Sequence, residues 1–325
     1  GASESSRPKD YEDFLTVFAH EYFHAWLVKH LRPASFLPYK LERECHTHDL
    51  WVFEGFTTYY ENVLPFRAGV LDEDKLLSLT SARFNRVRER EGFHVESLSD
   101  ASFNAWTHLY KQTPDSAYCQ ASYYGKGAVL AFMLDAALRK AGFSLDEVLK
   151  TWFHEALADP QARSLPDGGF FERIPVASIA ERFKKLVTSS DRTLWENEWR
   201  CALSTLGMSE EADKNTPASR MHLGLQLDGL RVRYAESRGS AYAAGLFAGD
   251  EIIAVNGLRA DAATIERMIT QAKGSTLHIH YFREHLLRSA EIEVPVNPLP
   301  QPGTLKIKSP TEFGRAWIRS SNRQA

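Results

Sequence analysis

Apolar residues recur at helical spacing through the first two thirds of the chain and at alternating spacing afterwards. Phe14, Val17, Phe18, Tyr22 and Ala25 lie three or four residues apart, which predicts a helix over 11–30 ended by Arg32-Pro33. Residues 34–49 carry no period. A second helix is expected from Leu50 to about Leu64, before Pro65, and a charged amphipathic one from Asp72 to Arg90. Residues 91–117 read as a long connection anchored by Phe93, Phe103, Trp106 and Tyr110. Helices follow at about 122–141, 144–158 and 176–206, the last broken near Ser189-Ser190.

The pattern changes after Gly207. Met208 to Ser219 is polar and reads as a linker. Short alternating strands follow at Leu223–Leu227, Leu230–Tyr234, Glu251–Val255 and Leu277–Tyr281, with one helix at about Ala262 to Gln271. From Pro295 the chain is proline-containing and aperiodic. The expected organisation is a polar segment 1–10, a helical portion 11–207, a linker 208–219, a β-rich domain 220–296 and a tail 297–325.

Composition adds few constraints. The chain has 325 residues, 43% of them hydrophobic, and a net charge of −3, which suits a globular protein of two or three domains. Near-neutral charge gives no reason to expect nucleic acid as a partner, and no apolar run is long enough to span a bilayer. Cys45, Cys119 and Cys201 are odd in number and far apart, so no disulfide framework is expected. A reducing, cytoplasmic setting is favoured, or a periplasmic one if a leader peptide precedes this sequence.

The chemistry concentrates in His20-Glu21-Tyr22-Phe23-His24. On a helix the two histidines stand one turn apart on one face, so both can reach one tetrahedral zinc ion. Glu21 beside them is placed to take a proton from a water there. Glu54, within Leu50-Trp51-Val52-Phe53-Glu54-Gly55, offers the third ligand and leaves a fourth position open, as catalytic zinc requires. Thr58, one turn after Glu54, reads equally as a partner to a ligand or as an ordinary helix-face residue. Chance alone yields this five-residue motif in a few per cent of chains so rich in histidine, so its helical setting carries the weight. His278 and His280 read as exposed strand histidines rather than a second site, and His46 and His48 as a solvated loop. Arg86, Arg88, Glu89, Arg90 and Glu91 read as a solvated helix face.

These residues carry a resemblance. His-Glu-Tyr-Phe-His-Ala-Trp with Leu31-Arg32-Pro33, Leu50-Trp51 with Glu54-Gly55-Phe56-Thr57-Thr58-Tyr59-Tyr60, and Tyr124-Gly125-Lys126-Gly127 resemble the glycyl aminopeptidase family of bacterial metallopeptidases. That family belongs to the wider gluzincin group and carries a PDZ domain. The resemblance implies a multidomain α+β protein: a mainly helical, thermolysin-like catalytic portion followed by a small β-rich PDZ domain. It implies one zinc ion on His20, His24 and Glu54, Glu21 as base, and Tyr124 as the hydroxyl that stabilises the oxyanion. Tyr123 is the competing choice; the register against Lys126-Gly127 favours Tyr124. The family usually has Asn where Leu27 stands and Arg where His30 stands, so contacts near the site are expected to differ.

Gly239 to Gly257, with Gly245, Gly249 and Gly257 at turns, resembles a bacterial protease-type PDZ domain. Leu223-Gly224-Leu225 would then be its carboxylate-binding loop, holding a peptide or protein C-terminus. The implied function is a zinc aminopeptidase acting on peptides, with Gly or Ala at their N-termini. The rivals are a zinc endopeptidase whose PDZ domain selects substrates, and a peptide-binding PDZ protein with an inactive zinc site. Family members have further β-rich structure ahead of the zinc helix, so the sequence is expected to be part of a longer protein and weakly active by itself.

Overall fold

The structure is a computed structural model that describes residues 9–301 and 303–319; the expected polar segment 1–10 lies almost wholly outside them. In chain order its elements begin with α1 (Lys9–Phe23), β1 (Arg32–Pro33), α2 (Phe56–Arg67), α3 (Glu73–Arg88), α4 (Leu98–Phe103) and α5 (Ser116–Cys119). They continue with α6 (Tyr123–Lys140), α7 (Leu145–Ala158), β2 (Ser164–Leu165), α8 (Ala177–Val187), α9 (Arg192–Leu206) and β3 (Met208–Glu211). The β-rich part holds β4 (Leu225–Asp228), β5 (Arg231–Ala235), α10 (Ser240–Ala243), β6 (Glu251–Val255), β7 (Leu258–Arg259), α11 (Ala262–Gln271), β8 (Thr276–Arg283) and β9 (Leu286–Glu293). Then come β10 (Thr304–Ile307) and α12 (Glu312–Ile318).

Helix α6 is the axis of the helical part. It is apolar on nearly every face and buried from Gly125 through Ala136, as a helix surrounded by others must be. Ser122 caps its start by accepting from the Gly125 amide. Helices α3 and α9 likewise begin on aspartate caps, Asp72 and Asp191. Trp51, Phe56, Phe132, Trp152, Phe170 and Phe183 fill one core around α6. Each such side chain contributes about 1.5–3 kcal/mol on burial.

A second, separate core, with Val232, Ile252, Ile265, Leu277 and Ile292, lies in the β-rich part. Its antiparallel sheet has the order β4-β5-β6-β8-β9, with β7 on β6. No helix of the described residues is long and apolar enough to cross a membrane. Cys45, Cys119 and Cys201 are unpaired.

Helix α2 runs on through Pro65 to Arg67 rather than stopping at Leu64, and further expectations need correction. Helix α1 stops at Phe23, not near residue 30, because Val28 takes a left-handed φ of 84° and its amide bonds Leu31 O, turning the chain. The apolar stripe that predicted α1 faces outward. Phe14, Phe18 and Tyr22 are about 60% exposed and stack in a ladder with Trp26, while Ala19, His20 and Phe23 face the interior.

The 208–219 linker begins as strand β3, paired antiparallel with β10 of the expected tail. The tail then forms α12 and buries Trp317 in the first core, where its indole donates to the Tyr59 hydroxyl at 2.6 Å. Finally, Glu89, Arg90 and Glu91 are not simply solvated: they meet the β-rich part. Glu89 pairs with Arg220, Arg90 lies over the Tyr234 ring, and the Glu91 amide donates to the Tyr234 hydroxyl.

Candidate metal centre

Helix α1 and the segment ahead of α2 build the site. His20 stands one turn above His24, with ring centroids 4.9 Å apart. Trp51–Gly55 winds as a wide π-helical turn before α2 continues at Phe56, and Thr57 Oγ1 donates back to Phe53 O at 2.6 Å. That turn is held from behind by α6. A Cβ on Gly55 would lie 2.6 Å from Gly127 Cα, so only two glycines permit this approach. The contact brings Glu54, from the turn, and Tyr124, one turn before Gly127, to the same place.

Glu54 Oε2 lies 3.4 Å from His20 Nε2 and 3.3 Å from His24 Nε2. The three donor atoms are all within 4.8 Å of one another, and no other group of three His, Cys, Asp or Glu side chains meets in this way among the described residues. The far side of each ring is tied down. His24 Nδ1 lies 3.3 Å from Leu27 O, a carbonyl that only accepts, so Nδ1 carries the proton. His20 Nδ1 lies 3.0 Å from Glu61 Oε2, whose other oxygen is bound by Arg83. Both Nε2 lone pairs therefore point at Glu54 Oε2, a buried oxygen that makes no hydrogen bond.

Three electron-rich atoms facing one another need a cation between them, so the residues fit a divalent metal ion with His and carboxylate ligands. Without one, a proton takes its place. Burial disfavours a charged His20, but Glu54 and Glu61 outweigh it and raise its pKa to about 9. Burial likewise disfavours a charged Glu54, yet the two histidines hold its pKa down to about 2.

The remaining site residues fall around this centre. Glu21 is exposed on α1. The Tyr124 ring stacks on His20 at 6.1 Å and on Tyr123 at 4.8 Å. Burial first, and the Glu54 charge second, push the Tyr124 phenol well above its usual pKa. Tyr123 itself donates to the Tyr110 hydroxyl at 3.4 Å. Tyr123 is buried, while Tyr124 remains partly accessible.

Lys126 Nζ is fully buried and donates to Phe93 O and Glu96 O, tying α6 to the 91–97 segment. Thr58 is buried and its hydroxyl has no hydrogen-bond partner, so it does not brace His20 or His24. Glu61 does, and the sequence held the signal: it lies two turns after Glu54, on the same helical face. His278 and His280 pair on β8 at 4.5 Å without a third donor among the described residues.

Leu223, Gly224 and Leu225 lie far along the chain, where a turn at Ser219–Leu223 runs into β4. Both leucine side chains pack in the second core, and Gly224 takes a φ of 74°.

Fold and site together are peptidase-like. Residues 13–130, which hold His20, His24, Glu54 and Tyr124, match the M61 glycyl aminopeptidase family. An aminopeptidase N family protein from Idiomarina loihiensis, solved by crystallography, has the same fold with a TM-score of 0.82 at 28% identity. The match covers 98% of this chain and 57% of that one, so this chain spans a little over half the length of that protein. No curated protein matches the sequence.

Proposed function

We propose that the chain is the catalytic part of a zinc-dependent aminopeptidase, residues 11–207, joined to a PDZ-type peptide-binding domain at 220–296. The observation that carries this reading is the convergence of His20 Nε2, His24 Nε2 and Glu54 Oε2 within 4.8 Å, with both rings anchored at Nδ1. These three residues would hold one zinc ion. When bound, the ion supplies Lewis-acid polarisation of a substrate carbonyl and makes water more acidic.

The chain's own residues do the rest. Glu21, directly after His20 and open to solvent, takes the proton of the attacking water and delivers it to the leaving amine. The Tyr124 hydroxyl, whose ring stacks on His20 and Tyr123, donates to the oxygen on which negative charge develops. Glu61 keeps His20 in its ligating tautomer. Small N-terminal residues, Gly or Ala, are the expected substrates by resemblance to that family, and the cytoplasm is the expected setting.

The test is hydrolysis of glycyl and alanyl amide substrates by the zinc-loaded chain, alongside their N-acetylated forms. Turnover of the free amines alone supports an aminopeptidase, and equal cleavage of acetylated peptides points to an endopeptidase. Glu21→Gln should abolish turnover while zinc content stays nearly intact. Unchanged turnover in that variant contradicts the assignment.

A further inference from the structure

A cleft of about 980 Å³ lies between α3, the β4 strand and α11, and shares no residue with the metal centre. A second cleft of about 400 Å³ adjoins it, and Arg86, Arg90 and Arg233 line both. β4 is an edge strand of its sheet, and Leu225, Gln226 and Leu227 line the larger cleft along it. An edge strand offers backbone groups to an added strand.

Four arginines, Arg86, Arg90, Arg220 and Arg233, line the cleft against three carboxylates, Glu89, Asp213 and Glu266, and Asp213 accepts from the Asn215 amide at 2.9 Å. Arg220 is matched by Glu89, which also accepts from Gln226 Nε2 at 3.0 Å. Glu266 is committed to the Ser219 amide and hydroxyl. Arg86 and Arg233 are exposed and make no hydrogen bond or ion pair among the described residues. Arg90 is half-buried over Tyr234, with its guanidinium 4.2 Å from the ring centroid. Burial first, and the neighbouring Arg233 in addition, disfavour its charge. Three guanidinium groups thus border one space without a carboxylate bonded to any of them.

We propose that this cleft binds an extended peptide segment bearing acidic side chains, its backbone adding to β4 and its carboxylates lying among Arg86, Arg90 and Arg233. This rests on reading the β-rich part as a peptide-binding domain. It departs from recognition of a chain end, because the neighbouring loop is already engaged. Two of its donors are spent: the Ser219 amide on Glu266 and the Gly224 amide on Arg220 O. Side-chain charge, rather than a terminal carboxylate, then decides what the cleft accepts.

Fluorescence anisotropy on the full chain tests this with labelled ten-residue peptides of one Ala/Val/Thr host sequence. The peptides carry two Asp, two Asn or two Lys at the same positions, each with a free or an amidated C-terminus. The Asp peptide should bind about tenfold more tightly than the Asn peptide, and more weakly as salt rises. Amidation should leave its affinity unchanged. Arg86→Gln with Arg233→Gln should remove the Asp preference and leave the Asn peptide unaffected, which shows that the variant is folded. Arg86→Glu with Arg233→Glu should transfer the preference to the Lys peptide. Equal binding of Asp and Asn peptides overturns the charge assignment while leaving peptide binding in place. Loss of binding on amidation overturns it in favour of end recognition. Failure of every peptide to bind overturns both the assignment and the peptide-binding reading beneath it.

Discussion

Glu61 holds His20 from behind: its Oε2 sits 3.0 Å from Nδ1, and Arg83 balances its charge on the other oxygen. A carboxylate there fixes the imidazole tautomer and makes Nε2 a better donor to a metal. Glu61→Ala should weaken zinc binding by about 10–100-fold, measured by competition with a chromophoric chelator. Zinc affinity equal to that of the unaltered chain removes Glu61 from the site.

Gly55 and Gly127 meet backbone to backbone, leaving no room for a methyl group on either. Gly127→Ala must push α6 away from the turn that carries Glu54. We expect a loss of at least about 2 kcal/mol in chemical denaturation, because the neighbouring atoms are main chain and cannot rotate aside. A loss below about 0.5 kcal/mol means that the two elements are not held this closely.

Lys126 gives a pH dependence with a definite sign. Burial lowers its pKa to about 7, against an ordinary value near 10.5. Between these values the unfolded chain holds a proton that the folded chain has released, so stability should rise with pH across that window. The penalty is complete below about pH 7 and gone above about 10.5, and is on the order of 5 kcal/mol at most. Unfolding free energies of the unaltered chain and of Lys126→Met, measured from pH 6 to 10, check this. Only the unaltered chain should show the rise, and parallel curves would refute it.

Tyr123 and Tyr124 should separate kinetically. Tyr124→Phe should lower kcat about 10²–10³-fold with zinc content unchanged, whereas Tyr123→Phe, which loses only the hydrogen bond to Tyr110, should cost about tenfold or less. The reverse order would assign the oxyanion contact to Tyr123.

Much of this was legible in the sequence. The spacing of His20, Glu21 and His24 and the helix carrying Glu54 required only helical geometry. α6, α7, α8, α9 and α11 followed from the spacing of their apolar residues, which repeats along the chain. What escaped was tertiary. The apolar stripe of α1 predicted the helix but not which face it buries, and that stripe faces outward. The end of α1 depends on a left-handed Val28 that nothing in its side chain signals. β9 is exposed at most positions and so shows no alternation. Trp317 looked like part of a tail because its pocket is formed by residues far away in sequence. Glu89, Arg90 and Glu91 looked solvated because their partners, Arg220, Tyr234 and Ser237, lie more than a hundred residues further on.

The most direct measurement is a zinc titration of the metal-free chain, followed by calorimetry, beside Glu54→Ala and the double variant His20→Ala with His24→Ala. The account predicts one zinc ion per chain, bound with release of the proton that His20 otherwise holds, and bound far more weakly by either variant. A chain that binds no zinc, or variants that bind one equivalent as tightly as the unaltered chain, would contradict it.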